Sequence, residues 1–150
     1  MGEKSKVIKN KNFEWESVDK KVYKTETANF KDIHRYSLLG ENEKELNFQT
    51  RYFEIKPGGY SSLEKHSHPH SVVIIRGKGT VILDNKAVEI SEHDVVYISP
   101  ETIHQFHADR GGPLGFICVV DRYRDKPEIP DDSLIDQKIT DSEVKTRIRK

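Results

Sequence analysis

The sequence predicts an all-β domain, a barrel or sandwich, and three observations carry that expectation. From Ile33 onward, segments rich in Val, Ile, Tyr and Phe are broken about every eight to twelve residues by Gly, Pro, Asn or Asp, the spacing of short strands joined by turns. Before residue 121 no apolar stripe with a helical 3.6-residue period runs for a useful length. A chain of 150 residues buries one core but hardly two, and it contains no internal repeat that would duplicate a barrel.

The elements follow in order. Residues 1–30 are polar and lysine-rich, an arm with one expected strand around KVYKTET (21–27). The barrel is expected over 31–121. It opens with IHRYSLLG (33–40) and continues through FQTRYFEIK (48–56), SSLEKHS (61–67), SVVIIRG (71–77) and GTVILDN (79–85). KAVEIS (86–91), DVVYIS (94–99), HQFHA (104–108) and LGFICVVD (114–121) complete it. KPGG at 56–59, HP at 68–69, RGKG at 76–79 and DN at 84–85 supply the turn chemistry between them. Residues 122–150 are charged and poor in apolar side chains. They are expected to be a tail without a core of its own, docked on a neighbour or mobile.

Charge and composition exclude several functions. Lys+Arg and Asp+Glu are balanced at 25 each, so no net field draws the chain to nucleic acid or to an anionic membrane. No apolar run approaches the roughly 20 residues of a membrane helix, and MGEKSKVIKNKN lacks the apolar stretch of a secretory signal. A cytoplasmic location is therefore expected. Lys6 stands where a myristoylation signal needs Ser or Thr. Cys118 is the one cysteine, so no intrachain disulfide forms, in keeping with a reducing compartment.

Residues 64–70, EKHSHPH, hold three of the seven histidines at every second position. In a strand, alternate residues point to one face, which places Glu64, His66 and, up to the turn, His68 together. Pro69 interrupts pairing, and a hairpin would fold His70 back beside His66. His104 stands just inside a later strand, with Phe106 and Ala108 on its face and His107 on the other. Imidazole nitrogens and a carboxylate suit Fe, Mn, Co, Ni, Cu or Zn, so three His and one Glu make a candidate metal site. The alternative for Glu64 is an ion pair with Lys65 or Arg76. His34, His93 and His107 are expected at the surface or rim.

PGGYSSLEKHSHPHSVVIIRGKG followed by VVYISPETIHQF resembles the two sequence motifs of the cupin superfamily, over about residues 46–120. The resemblance implies a double-stranded β-helix, or jelly-roll barrel, with an extended N-terminal arm, a charged C-terminal tail and a metal in the barrel mouth. Two registers compete. With His66 and His68 as the motif's His-x-His pair, the third-ligand position falls on Val72 or Val73, which cannot bind metal. With Gly58 and Gly77 as the motif glycines, every spacing is met by Glu64, His66 and His70. The second register then has Glu64 and His70 exchanged relative to the usual order of donors. His104 is the second-motif histidine, and His68 is an alternative ligand or a group just behind the ligands. Ser99, Glu101 and Ala108 depart from the second motif's usual proline, glycine and asparagine.

TRYFEIKPGGYSSLEKHSHPH, RGKG, HQFHA and PLGFICVVDRYRDKP are similar to a group of single-domain cupins that includes 1-methylthio-xylulose 5-phosphate methylsulfurylase. That resemblance implies a metal-dependent enzyme of methylthio salvage, in which a thiol accepts the methylthio group; Cys118 would be the thiol. A small oxygenated substrate, a ketose or sugar phosphate, would chelate a divalent Mn, Fe, Co, Ni or Zn and react through an enediolate, with His68 or Tyr97 moving the proton. Arg51 offers a fork of donors to a substrate phosphate, or else a strand salt bridge. Cys118 is otherwise a small buried hydrophobe. Two other functions use the same donors: an Fe(II) dioxygenase-type cupin, and a non-catalytic cupin that binds or senses a small molecule. A homodimer is expected, with the arm supplying a strand to a second subunit.

Overall fold

The computed structural model describes residues 2–22 and 31–150. In the arm, β1 (Asn10–Lys11) and β2 (Glu14–Trp15) form a hairpin, and β3 (Lys20–Val22) pairs with the next strand. The strand expected over 21–27 overlaps β3; residues 23–30 lie outside the described residues. The barrel comprises β4 (Lys31–Leu39), β5 (Phe48–Tyr60), β6 (His70–Arg76), β7 (Lys78–Leu83), β8 (Lys86–Ser91), β9 (Val95–Ile98), β10 (His104–Ala108) and β11 (Leu114–Asp121). Two short helices follow, α1 (Asp132–Lys138) and α2 (Ser142–Arg147).

These strands form one curled antiparallel sheet in the order β8-β7-β10-β5-β11-β6-β9, with β3 and β4 attached to β5. The 13-residue β5 is the hinge of the curl, since it pairs with β4, with β11 and, at Tyr60, with β10. Chain neighbours β6 and β7 are not paired with each other: β6 lies between β11 and β9, and β7 between β10 and β8. The chain makes that transfer at Gly77, whose φ of +69° is left-handed and whose added Cβ would lie 2.0 Å from the Pro113 carbonyl oxygen. Only glycine satisfies both conditions. The β7–β8 turn at Asp84 also takes a left-handed φ of 49°, a conformation that Asp tolerates better than branched residues.

Strand alternation sorts the side chains. Val72, Ile74, Phe116, Cys118 and Val120 point inward with Ile55 and Phe106 into the main core, while the residues between them face outward. On the outer side, Trp15 of the arm lies against Tyr52 and Tyr36, with ring centroids 4.5 and 5.4 Å away. The described part of the arm thus lies on its own sheet. His34 is buried rather than at the rim, facing the Glu54 carboxylate at 3.5 Å.

Two segments depart from expectation. Residues 61–67 form no strand; single hydrogen bonds such as that from the Ser61 amide to the Phe106 carbonyl tie their backbone down, together with isolated bridges, Glu64 with His104 and Lys65 with Glu128. The two partners belong to different elements, so no continuous ladder can run along this stretch, and Pro69 stops one from extending into β6. The tail, in turn, docks on its own barrel as two helices. Asp131 and Asp141 cap them by accepting from the Leu134 amide at 2.8 Å and the Glu143 amide at 2.9 Å. Ile135, Ile139 and Val144 then pack with Leu63, Ile82 and Ile103 in a second core. Too few apolar residues are present in the tail for a core of its own; the barrel's outer side provides the rest. Among the described residues no helix is long and apolar enough to cross a membrane.

Ile139 is fully buried in that second core. Ile139→Ala is expected to lower unfolding free energy by about 2–4 kcal/mol, measured by urea denaturation; a change near zero would mean that the helices do not dock in solution.

Candidate metal centre

The open end of the barrel gathers side chains from three places in the chain. His66 comes from the loop after β5, His70 opens β6 and His104 opens β10. Glu64 and His104 exchange backbone hydrogen bonds of 3.1 and 2.9 Å, which holds the loop against β10. One donor atom from each of His66, His70 and His104 lies within 4.8 Å of the other two. The ring centroids are 4.3 Å apart for His66–His70, 4.7 Å for His66–His104 and 5.7 Å for His70–His104.

Backbone carbonyls set the tautomers. His66 Nδ1 lies 2.6 Å from the His68 carbonyl oxygen and His104 Nδ1 lies 2.9 Å from that of Thr102. A carbonyl only accepts, so both rings carry their proton on Nδ1 and present Nε2 as a bare lone pair. His66 Nε2 is buried and has no hydrogen-bond partner among the described residues. A buried orphan nitrogen costs free energy unless something electron-poor meets it, and a metal cation is such a group. Imidazole is also a ligand common to many transition metals. The residues present therefore fit a divalent metal.

Burial acts in the same direction. Loss of solvent pushes His66 and His104 down to about 4 and His70 to about 2 from the ordinary 6.5, with the neighbouring imidazoles adding to the effect for His66 and His70. Neutral rings at neutral pH owe no proton before they bind metal. Glu64 borders the trio, with Oε1 3.8 Å from His104 Nε2 and Oε2 accepting from the Ser62 hydroxyl at 2.8 Å. Burial raises its carboxyl, and a cation beside it would reverse that tendency. Its two alternative partners are engaged elsewhere: Lys65 with Glu101 and Glu128, and Arg76 with Glu54.

His68 lies outside the trio of donors but beside it. Its ring stacks on His66 at 3.8 Å, its Nε2 is 3.1 Å from His70 Nε2, and its Nδ1 donates to Asp125 at 2.7 Å. Tyr97 does not join the site. It is 66% exposed on β9, between inward-pointing Val96 and Ile98, and therefore on the outer face.

A cavity of about 270 Å³ runs inward from the histidines. Phe53, Phe106, Phe116 and Ile33 form apolar walls, and Arg35, Arg51, Arg124 and Cys118 supply polar groups. Arg51 and Cys118 face each other on paired strands, with Nη2 3.5 Å from Sγ. Arg51 is 7% exposed, and its Nε is buried without a hydrogen-bond partner among the described residues. Burial raises the Cys118 thiol, and the Arg51 guanidinium partly opposes the rise. A more open hollow of about 430 Å³ between the arm and residues 37–43 is lined by no histidine or cysteine.

Residues 51–120 match the Cupin domain family. A relative from Rhodospirillum rubrum, 1-methylthio-D-xylulose 5-phosphate methylsulfurylase, is 39% identical over 119 residues, 79% of this chain and 75% of that protein. The chain is a cupin. Among solved structures, a cupin 2 conserved barrel domain protein from Rhodopseudomonas palustris superposes with a TM-score of 0.85 at 39% identity, covering 91% of this chain and 93% of that one. A cupin 2 domain-containing protein from Halorhodospira halophila gives 0.76 at 38% identity, over 99% and 98% of the two chains. Like this cupin's barrel, its donor cluster was partly legible in EKHSHPH. Asp125 and Arg124 were not, because RYRDKP carries no pattern that separates a site residue from a solvated charge.

Each depressed histidine binds its proton less tightly in the folded chain than in the unfolded one, so lowering the pH favours unfolding across the window from about 6.5 to about 4. The chelator-treated cupin is expected to lose on the order of 5–10 °C of melting temperature between pH 7 and 4.5, read by calorimetry. A flat profile would show that the rings are solvated.

Proposed function

We propose that this cupin is a metal-dependent enzyme for a small, anionic, oxygenated substrate of the ketose-phosphate class. The observation that carries this is the pairing of a cluster of three uncharged imidazoles, of which His70 and His104 line the cavity, with the buried, incompletely hydrogen-bonded guanidinium of Arg51 in that same cavity. A buried cation without its full set of acceptors favours an anionic ligand. The 39%-identical relative, 1-methylthio-D-xylulose 5-phosphate methylsulfurylase, supports the same substrate class.

His66, His70 and His104, with Glu64 as a fourth donor, would hold a divalent Mn, Fe, Co, Ni or Zn. When bound, the metal supplies Lewis-acid polarisation to neighbouring substrate oxygens. Arg51 binds and orients the anionic end, and the phenylalanine walls exclude water. His68, with its Nδ1–H held by Asp125, accepts the proton next to the substrate carbonyl at Nε2. For a methylthio ketose, Cys118 Sγ forms a bond to the methylthio sulfur as the carbon–sulfur bond breaks. That bond's electron pair stays on the carbon, which takes up the proton given up by the thiol, and the cysteine is left as a mixed disulfide for an external thiol to reduce. Arg51 favours the thiolate that this attack needs.

Elemental analysis of tag-free protein is expected to find close to one metal per chain, lost in His70→Ala and His104→Ala and retained in His68→Ala. Given a 1-methylthio-ketose phosphate, Cys118→Ser should abolish methylthio transfer at unchanged metal content, and Arg51→Met should raise KM about 10–100-fold. An active Cys118→Ser variant would remove the cysteine step. Oxygen consumption by the loaded protein would instead favour dioxygenase chemistry.

A further inference from the structure

Residues 122–131 leave β11 and cross beside the histidine loop instead of turning into solvent. Two attachments hold them there. Lys65 and Glu128 exchange backbone hydrogen bonds of 2.9 and 2.8 Å, and Lys65 Nζ meets the Glu128 carboxylate at 2.7 Å. The second attachment is Asp125, whose carboxylate accepts three hydrogen bonds: from the Ser67 amide at 2.8 Å, the His68 amide at 3.0 Å and His68 Nδ1 at 2.7 Å.

All three donors belong to the two residues that separate His66 from Pro69 and His70. Besides the two amides, which tie down the loop backbone, the carboxylate also takes a side-chain ring. The third bond goes to a ring whose other nitrogen points at His70 Nε2, 3.1 Å away, and whose plane lies 8° from that of His66. The carbonyl of the same residue accepts the His66 Nδ1 proton at 2.6 Å. The hold therefore passes from Asp125 to His68, and from His68 both to the tautomer of one candidate ligand and to the contact with another.

We infer that Asp125 is a positioning residue of the metal centre, its carboxylate fixing the 67–68 backbone and the His68 ring so that His66 keeps Nε2 bare and His68 stands against His70. This rests on the metal-binding function proposed above. The amide of Ser67 and the ring of His68 keep the carboxyl well below the usual carboxylate range, so it remains an acceptor throughout the neutral range. Ligand-orienting acceptors of this kind are worth about 10–100-fold in metal affinity.

The test uses the full chain as wild type, Asp125→Ala and Asp125→Asn, with melting temperature recorded for each. Zinc alone is titrated in competition with a chromogenic chelator, and the imidazole nitrogens of the metal-free protein are assigned by long-range proton–nitrogen NMR. Wild type is expected to show His66 protonated at Nδ1. Asp125→Ala should lose that single tautomer and bind zinc about 10–100-fold more weakly. Asp125→Asn, which keeps an oxygen for His68 but not the full set of acceptors, should fall between the two. An Asp125→Ala variant with wild-type zinc affinity and an unchanged His66 tautomer would overturn the inference. Wild-type protein that takes up no zinc would overturn the metal centre itself, and the metal-free tautomer shift in Asp125→Ala would then separate that failure from a failure of the carboxylate's hold.

Discussion

Two backbone hydrogen bonds between Glu64 and His104 are the constraint on which the rest of the site depends. They join a loop to a strand 40 residues further along the chain and bring His66 and His70 to His104. The loop has no ladder of its own, so this contact must be secured from outside. Leu63 and Ile103 stand immediately before the two bridged residues, and both are buried in the second core against Ile135, Ile139 and Val144. The C-terminal helices therefore press on the underside of the candidate metal centre, and the apolar burial that docks the tail also keeps the histidine cluster in register.

The barrel's own core meets the site from the other side. Phe106 and Phe116 stack at 4.4 Å and belong both to the main core and to the cavity wall. A site built on such rigid packing keeps its donors in place without a ligand. It also desolvates whatever it encloses, which is why the histidines lose their protons so readily and the Cys118 thiol holds its own. Arg51, whose Nε is buried without a hydrogen-bond partner among the described residues, lies against Cys118, so that one permanent cation borders both the cavity and the thiol.

Much of the barrel was legible in the sequence. The positions of most strands from 33 to 121 and the turns at 76–79 and 84–85 follow from alternation and turn residues, and the clustering of His66, His70 and His104 from the motif spacing of the cupin resemblance. The failures share a cause. Residues 61–67 alternate like a strand but lack a continuous neighbour to pair with. Ile135, Ile139 and Val144 are too sparse to announce a core, because half of that core comes from the barrel. Tyr97 is chemically a fine proton carrier, yet strand parity turns it outward.

The sequence by itself determined which residues alternate, where the chain turns and which side chains can donate to a metal, because these depend on neighbours a few positions apart. Only the tertiary structure decided that Glu64 meets His104, that Arg51 faces Cys118 across paired strands and that Asp125 returns from beyond the barrel to hold His68. Each of these joins residues 40 or more positions apart. Long-range partners are selected by the closure of the sheet and the shape of what it encloses, and local pattern carries no information about either.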